Sequence, residues 1–559
     1  MKRSENLVML LSLLGLLCVL CACSSTKGSV ESPATGLETP SETSEISSPS
    51  VTDTETNITE EENFENTLFR CGLVPVCSDG KWGYVDKTGT YIIAPQFDRA
   101  YPFFEDGLAC VSIAGKYGCI DTTGAYVVNP QFDEPFSFEN GLAMVTLMEE
   151  EIIETIHSNE GGDYTEYNVC YKYGYIDKTG AYVIEPQFGQ ASPFDENGFA
   201  IVGVGEYSMG PYSRSADGGG YGGLASVNNN CKYGVIDRTG TFVVPAQFDD
   251  IGTFNENGLT CVRVGEARSG KYGYIDKTGV YVINPQFDDA GSFSDNGLAV
   301  VGIGSYPDEK YGYIDQTGAY VCNPQFDVAE PFGENGLAMV RLNDRCGYID
   351  ETGSYVINPQ FDAAWDFSDN GLAVVAMGDY PDRKWGYINQ TGAYVCNPQF
   401  DDAEDFGENG LARVRFGDRW GYIDETGAYA INPQFDNAYD FGDNGLAKVQ
   451  LGNKWGYVDQ TGVYVINPQY YAMDDSFSGG LCAFENENGK LGYLDSNGKE
   501  IIPPQFESEG TWWGFEMRRF FDDGYAIIEV GSYKGVIDKT GKWVINPQFE
   551  GIHSQYNYW

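Results

Sequence analysis

Short runs of alternating hydrophobic and polar residues recur along most of the chain and predict β-strands. In one stretch, residues 272–276, 280–284 and 298–301 each form such a run and are rich in β-branched or aromatic residues. The Asp-Lys-Thr-Gly segment that starts at Asp276 suits a type I turn followed by a glycine in the left-handed conformation. The two strands around this turn are therefore predicted to form a tight antiparallel hairpin.

The hairpin pattern returns twelve times along the chain. Near-copies of KWGYVDKTGTYIIAPQFD begin at Lys81, Lys116, Lys172, Lys232, Lys271, Lys310, Arg345, Lys384, Arg419, Lys454, Lys490 and Tyr533. Successive units are short: Gly83 and Gly118 are 35 residues apart, and Gly273 and Gly312 are 39 residues apart. A unit of this size cannot bury its apolar faces alone and must stack on its neighbours. We therefore predict an all-β fold, a tandem array of about twelve three-stranded antiparallel β repeats.

Two arrangements of such an array are open: an open superhelix or solenoid, and one or two closed β-propellers. Propellers usually have about four to eight blades of four strands, whereas this chain has twelve units with three predicted strands each. Residues 71–77 resemble the first strand of the first unit, so the array starts and ends on whole units. Because no strand is left over for exchange between the two ends, we predict the open form, with the propeller as the alternative.

Two positions inside the unit lead to predictions about how the units pack. Gly273 lies between Tyr272 and Tyr274, where the missing side chain lets a neighbouring ring or backbone approach closely. A glutamine follows the Asn-Pro pair or its equivalent in every unit, from Gln96 to Gln548. We expect its amide to bridge to the backbone of a neighbouring unit.

The repeated motif is similar to that of a known family. The Trp-Gly or Tyr-Gly pair, the Asp-Lys-Thr-Gly turn and the Asn-Pro-Gln-Phe-Asp ending resemble the bacterial WG (KWG) repeat family, over nearly all of residues 70–550. The resemblance implies a bacterial interaction or surface module and supplies no catalytic residues. The motif is broken at its aromatic position by Cys346, Leu491 and Lys534, which affects local packing.

The N-terminus predicts export. A basic start is followed by an apolar run and by Leu-Cys-Ala-Cys, which resembles the lipobox of bacterial lipoproteins and implies cleavage before Cys23 and attachment of lipid to its sulfur. An ordinary signal peptide or an uncleaved anchor is the alternative. The next segment is rich in Ser, Thr, Glu and Pro and is expected to be a disordered tether. The predicted parts are a signal peptide (1–22), the tether (23–66), the WG-repeat array (67–550) and a C-terminal tail (551–559).

Charge and residue content argue against several functions. The formal net charge of −48 leaves no excess of cations for a phosphate backbone, so we expect no nucleic-acid partner. Only two histidines are present, His157 and His553, and both lie outside the motif, so the material for a catalytic triad or a histidine metal centre is missing. The many acids recur as turn copies, such as Asp86 and Asp276. We therefore predict no enzyme, no catalytic residue, no cofactor and no metal.

The cysteines are interpreted mainly as small buried hydrophobic residues. Oxidative pairing of Cys71 with Cys77, or of Cys170 with Cys231, is the alternative.

Unusual features are concentrated where binding is expected. Two insertions, 148–168 and 206–230, interrupt the same hairpin of the repeat. Loops that emerge from a repeat scaffold form a natural contact surface, which makes Tyr207, Tyr212 and Tyr221 candidate ligand contacts. Trp365, in a crossover segment, is a fourth. The predicted function is a non-catalytic, membrane-tethered surface scaffold that binds an envelope protein or a glycan; the alternative is a structural or assembly lipoprotein of the cell envelope. We expect a monomer, lipid-anchored to the outer face of the bacterial membrane.

Overall fold

The computed structural model describes residues 66–156, 164–215, 220–221, 226–267, 269–507 and 519–554. Within these ranges the chain is all-β, as the alternating pattern predicts. The predicted signal peptide, almost all of the predicted tether, and Cys23 lie outside the described residues. The described residues contain no helix that could span a membrane.

The strands form twelve antiparallel sheets, which we call blades 1 to 12 in chain order. Their bounds are as follows: β1 (Leu73–Ser78), β2 (Lys81–Asp86) and β3 (Tyr91–Phe97) in blade 1; β4 (Arg99–Ala100), β5 (Leu108–Ile113), β6 (Lys116–Asp121) and β7 (Tyr126–Phe132) in blade 2; β8 (Leu142–Ile156), β9 (Tyr164–Asp177) and β10 (Tyr182–Phe188) in blade 3; β11 (Gln190–Ala191) and β12 (Phe199–Val204), then β13 (Tyr207–Ser215), β14 (Gly220–Tyr221) and β15 (Ser226–Asn229) of an insertion, then β16 (Lys232–Asp237) and β17 (Phe242–Phe248) in blade 4; β18 (Asp250–Ile251), β19 (Leu259–Val264), β20 (Lys271–Asp276) and β21 (Tyr281–Phe287) in blade 5; β22 (Asp289–Ala290), β23 (Leu298–Ile303), β24 (Lys310–Asp315) and β25 (Tyr320–Phe326) in blade 6; β26 (Val328–Ala329), β27 (Leu337–Leu342), β28 (Arg345–Asp350) and β29 (Tyr355–Phe361) in blade 7; β30 (Ala363–Ala364), β31 (Leu372–Met377), β32 (Lys384–Asn389) and β33 (Tyr394–Phe400) in blade 8; β34 (Asp402–Phe406), β35 (Leu411–Phe416), β36 (Arg419–Asp424) and β37 (Tyr429–Phe435) in blade 9; β38 (Asn437–Phe441), β39 (Leu446–Leu451), β40 (Lys454–Asp459) and β41 (Tyr464–Tyr470) in blade 10; β42 (Ala472–Met473), β43 (Leu481–Glu485), β44 (Lys490–Asp495) and β45 (Glu500–Glu507) in blade 11; β46 (Tyr525–Val530), β47 (Tyr533–Asp538) and β48 (Trp543–Phe549) in blade 12; and β49 (Gly551–Ile552) near the C-terminus.

Blade 5 illustrates how the repeated residues build one blade. The hairpin of β20 and β21 is held by the carboxylate of Asp276, whose Oδ1 accepts the backbone N–H of Thr278 (2.9 Å), its hydroxyl (2.6 Å) and the N–H of Val280 (3.1 Å). Gly279 ends the turn with φ +82°, in the left-handed region that glycine adopts without strain. The predicted tight hairpin is confirmed.

The predicted unit of three long strands is confirmed, and the structure adds a short fourth strand. In blade 5 the two residues of β18, which directly follow the previous unit, pair with β19, so that the sheet order is β18-β19-β20-β21. Most blades repeat this order. A two-residue strand inside a crossover has no alternating pattern, which is why the sequence did not reveal it.

The hydrophobic core lies between the blades. Tyr274 of blade 5 donates its hydroxyl to the carbonyl of Gly291 in the next crossover (2.7 Å), and its ring lies 4.7 Å from that of Phe293. Around them pack Ile283, Phe287 and Val301, all buried. Every neighbouring pair of blades shares such a cluster, so each unit completes its interior against the next.

The array is closed into a ring, resembling a twelve-bladed β-propeller. β49 pairs with β1, with Val76 opposite Ile552 and Cys77 opposite Gly551, and so supplies the fourth strand of blade 1. A buried cluster also joins blade 12 to blade 1 through residues such as Ile527, Val536 and Val74.

The propeller alternative is therefore the right one, and the preference for an open superhelix is wrong. The predicted C-terminal tail begins with this closing strand, so a strand is exchanged between the ends after all. Its two residues are too few to be recognised from sequence.

The two packing expectations have different outcomes. A Cβ at Gly273 would lie 2.6 Å from the carbonyl oxygen of Ile283 and 2.6 Å from the nitrogen of Pro285, so the predicted close approach is confirmed. The predicted bridge from the glutamine amide to a neighbouring unit is wrong at Gln96. This side chain donates to the carbonyl of Ala94 (3.4 Å), two residues away in its own unit.

Candidate functional site

The two insertions meet in one sheet. In blade 3, β8 and β9 have 15 and 14 residues. The first and second long strands of an ordinary unit have six residues each. The insertion of blade 4 adds β13, which pairs with β9 rather than with its own blade, with Ser208 opposite Cys170 and Ser215 opposite Tyr164. β14 and β15 then pair with β13. Segments separated in sequence therefore form one structure at the junction of blades 3 and 4.

A pocket lies at the base of this joint sheet. Its cavity volume is about 530 Å³, which is within the range of small-ligand sites. Two tyrosine rings, Tyr171 and Tyr207, lie 5.7 Å apart at 61° and form part of its wall. The complete lining is Glu149, Glu150, Cys170, Tyr171, Lys172, Gln187, Gly189, Gly205, Glu206 and Tyr207.

The pocket lies in one of the three units that lack a repeated ion pair. In nine units the lysine or arginine that begins the second long strand binds an acid 17 residues later: Lys81–Asp98, Lys116–Asp133, Lys232–Asp249, Lys271–Asp288, Lys310–Asp327, Arg345–Asp362, Lys384–Asp401, Arg419–Asp436 and Lys490–Glu507. For Lys172 that position is Gly189. A Cβ there would lie 2.6 Å from the Gly205 oxygen and 2.7 Å from the Cys231 sulfur. The glycine thus lets the insertion of blade 4 come close to the crossover.

The electrostatics of the pocket are acidic. Lys172 binds Glu149 instead of a crossover acid, at 2.7 Å, and both side chains are substantially exposed. This pair is weak because water and salt screen it. Glu150 and Glu206 add two further carboxylates. Burial and the nearby Glu206 raise the pKa of the Cys231 thiol, so it stays protonated at neutral pH. The site offers hydrogen-bond acceptors, an amide and two aromatic rings, which suits polar, uncharged or cationic ligands.

The four candidate contacts from the sequence do not lie together. Tyr207 lines the pocket. Tyr212 and Tyr221 lie on β13 and β14 of the joint sheet, opposite Tyr167 and Ser213 respectively. Trp365 lies in the crossover that enters blade 8; it is 56% exposed, with its ring 6.3 Å from that of Trp385.

Two further exposed tyrosines lie in other blades, in the turn between the first and second long strands, which is where blades 3 and 4 carry their insertions. Tyr306 is 92% exposed and Tyr380 is 89% exposed, in the lengthened turns of blades 6 and 8. Sequence reasoning did not select these two tyrosines. It also missed Tyr171, Lys172 and Gln187, although the replacement of the usual acid by Gly189 was a visible signal.

Outside the pocket, His553 and the turn aspartates form hydrogen bonds within the fold. His553 lies against the closing strand, with Nδ1 3.0 Å from the Ala100 oxygen, and burial lowers its pKa. His157 lies outside the described residues. In the turns, hydrogen bonds from threonine hydroxyls hold the pKa values of the repeated aspartates, Asp276 among them, below the ordinary value. Among the residues that the structure describes, no group of three or more His, Cys, Asp or Glu side chains has the geometry of a metal site.

The architecture defines a class of protein: a closed β-scaffold made of repeats that complete one another. Comparison with known families matches the WG containing repeat twelve times, at residues 82–117, 117–147, 173–207, 233–266, 272–306, 311–346, 347–380, 385–420, 420–455, 455–490, 492–533 and 535–556. The chain belongs to this family of WG-repeat proteins. The resemblance seen in the sequence is thereby confirmed for the repeats.

Comparison with curated proteins gives no significant match. Matching solved structures include a eukaryotic initiation factor, at 10% identity over 64% of this chain and 94% of that chain, with a TM-score of 0.29. BamB from Moraxella catarrhalis matches at 13% identity over 52% of this chain and 91% of that chain, with a TM-score of 0.23. At these scores neither likeness supports a conclusion about this chain.

Proposed function

We propose that this protein is a non-catalytic surface scaffold that binds an envelope protein or a glycan in the pocket beneath the joint sheet. The observation that carries the proposal is the convergence of two separate insertions on one pocket of about 530 Å³. Insertions that were merely tolerated would have no reason to share a β-ladder and a cavity. The lengthened turns with Tyr306 and Tyr380 extend the contact surface beyond the pocket.

The lining favours a polyhydroxylated or cationic ligand. The rings of Tyr171 and Tyr207 offer apolar faces on which a sugar or an aliphatic side chain packs. Glu150, Glu206 and Gln187 supply acceptors for hydroxyl or ammonium groups. An anionic ligand would meet these carboxylates and the net charge of −48, and is disfavoured.

The proposal is tested by glycan-array binding and by capture from the native envelope. Tyr207→Ala and Tyr171→Ala remove the aromatic wall while leaving the backbone pairing in place. Each is expected to weaken binding roughly five- to 150-fold, since loss of an aromatic contact typically costs about 1–3 kcal/mol. Tyr533→Ala, which removes a half-exposed tyrosine of blade 12, is the matched control and should bind normally.

Equal binding by all three variants would refute the pocket as the binding site. If the wild-type chain captures nothing in either assay, the structural or assembly lipoprotein is the better account.

The location of the protein is part of the same proposal. We propose that lipid on Cys23 holds it at the outer face of the bacterial membrane, that the Ser/Thr/Glu/Pro-rich segment tethers the ring, and that the protein is a monomer without a nucleic-acid partner. A fatty-acid analogue should label the wild-type protein and not Cys23→Ser, and the variant should leave the membrane fraction. Labelling that persists in Cys23→Ser would contradict this anchor.

A further inference from the structure

Among the described residues, neither pairing suggested by the sequence, Cys71 with Cys77 or Cys170 with Cys231, is a disulfide in the structure. Two others face each other directly across a β-ladder. Cys110 of β5 is opposite Cys119 of β6 in the register of blade 2. Their side chains therefore leave the sheet on the same side, at adjacent positions.

The backbone hydrogen bonds show which kind of pair this is. The carbonyl of Cys110 accepts the N–H of Tyr101, in the crossover on the opposite side of β5 from β6 (3.0 Å). The backbone groups of Cys110 therefore point away from Cys119, which makes the two residues a non-hydrogen-bonded pair. Such pairs have a Cα–Cα distance of about 4.5 Å, inside the span of roughly 4.4–6.8 Å that a disulfide needs.

The surroundings of the pair distinguish it from its equivalents in other blades. The position of Cys119 is usually a tyrosine whose hydroxyl binds the carbonyl 17 residues later, as Tyr84 does with Tyr101 (2.7 Å). Blade 2 has lost that tyrosine. Both thiols are almost fully buried, at 1% and 2% exposure, and Cys119 packs against Val128 and Phe132. The two thiols are thus adjacent and buried.

We propose that Cys110 and Cys119 form a cross-strand disulfide when the protein folds in an oxidising environment. The thiolate of one cysteine attacks a small-molecule disulfide such as oxidised glutathione and releases one glutathione thiolate. The second cysteine then attacks the mixed disulfide and releases the other. Two protein thiols lose two protons and two electrons, and the oxidant is reduced to two thiols.

The bond forms while blade 2 is still accessible. In the folded ring, burial raises the pKa of Cys110 to about 12 and that of Cys119 to about 11. Since the thiolate is the reactive species, a ring folded under reducing conditions is expected to oxidise slowly at this site. The environment of folding therefore determines the state of the pair.

The test compares the full chain secreted into an oxidising bacterial periplasm with the same chain made in the reducing cytoplasm. Free thiols are alkylated under acid quench, and a combined cleavage after Lys116 and Glu139 separates Cys110, Cys119 and Cys170 onto different peptides. The secreted chain should yield the Cys110 and Cys119 peptides joined, about 2 Da lighter than the sum of the two reduced peptides. The cytoplasmic chain should yield both alkylated.

Two controls keep the result specific. Reductant should lower the Tm of the secreted wild type by about 2–3 °C through loss of the cross-link, and should leave the Tm of the Cys110→Ser/Cys119→Ser double variant unchanged. In Cys110→Ser, Cys119 should be recovered free. Recovery of both cysteines as free thiols from the folded secreted wild type would overturn the proposal, as would pairing of Cys119 with another cysteine in Cys110→Ser.

Discussion

Replacing Gly273 by alanine tests the packing of the repeat at its most constrained point. The added methyl group would lie 2.6 Å from the Ile283 oxygen and 2.9 Å from the carbonyl carbon of Asn284. Both atoms belong to the backbone of β21, where the ladder has a register shift between Tyr272 and Tyr274. A backbone cannot move aside as a flexible side chain can, so the hairpin must open locally.

The magnitude follows from the cost of overpacking. Adding a methyl group to a close-packed site typically costs about 1–3 kcal/mol. Unfolding entropy is about 2.1 cal/mol/K per residue, so the roughly 460 described residues of the ring have an unfolding entropy of roughly 1 kcal/mol/K when they melt as one unit. The expected decrease in Tm is therefore about 1–3 °C.

Differential scanning calorimetry measures this decrease against a matched control in the same part of the ring. At Gly291 a Cβ would meet only the Val300 oxygen, at 3.8 Å. Gly291→Ala should leave the Tm unchanged or raise it slightly, because alanine restricts the unfolded chain. If Gly273→Ala melts at the wild-type temperature, or the two variants shift alike, the close approach does not constrain the fold.

The remaining predictions concern charged groups. Asp276→Ala should destabilise by about 1 kcal/mol by removing the acceptor of three turn hydrogen bonds, whereas Asp276→Asn should be nearly neutral in urea denaturation, since Asn389 makes the same bonds in blade 8. The pKa values of the turn aspartates are lowered in the folded state, so their stabilisation is present above about pH 4 and should be lost in melts at lower pH. Asp474 behaves oppositely: burial raises its pKa to about 6, so between about pH 4 and 6 the wild type should lose stability relative to Asp474→Asn as pH rises, by on the order of 3 kcal/mol at most.

The elements with a strong local signal were predictable from sequence. The alternating runs identified the three long strands of each unit, and the Asp-Lys-Thr-Gly segment identified the hairpin turn, because Asp276 and Gly279 act through bonds within five residues of each other. The close approach at Gly273 was also predictable, since a glycine inside a strand usually marks a bulge or a place where another backbone comes near.

Ring closure could not be derived from local patterns. β49 has two residues and pairs with a strand that lies more than 470 residues earlier, at Val76 and Cys77. Whether twelve units close depends on the small rotation between neighbouring blades, which no single residue determines. The short strands of the crossovers were missed for the same reason: their conformation is imposed by the neighbouring blade.

The binding site was only partly predictable. The insertions and their tyrosines stood out as breaks in the repeat, and Tyr207 lines the pocket. That β13 would pair with β9 of another blade was not visible, because strand partners are chosen by tertiary contact and not by composition.

Hydrogen exchange at the C-terminus, on the unmodified protein, tests the closed ring most directly. In the structure the N–H of Glu550 donates to the Cys77 oxygen (2.9 Å) and that of His553 to the Pro75 oxygen (3.1 Å). Because these bonds exist only when the two ends of the array meet, both amides should exchange as slowly as those of the central strands. Exchange at the rate of an unstructured chain end would show that the array is open.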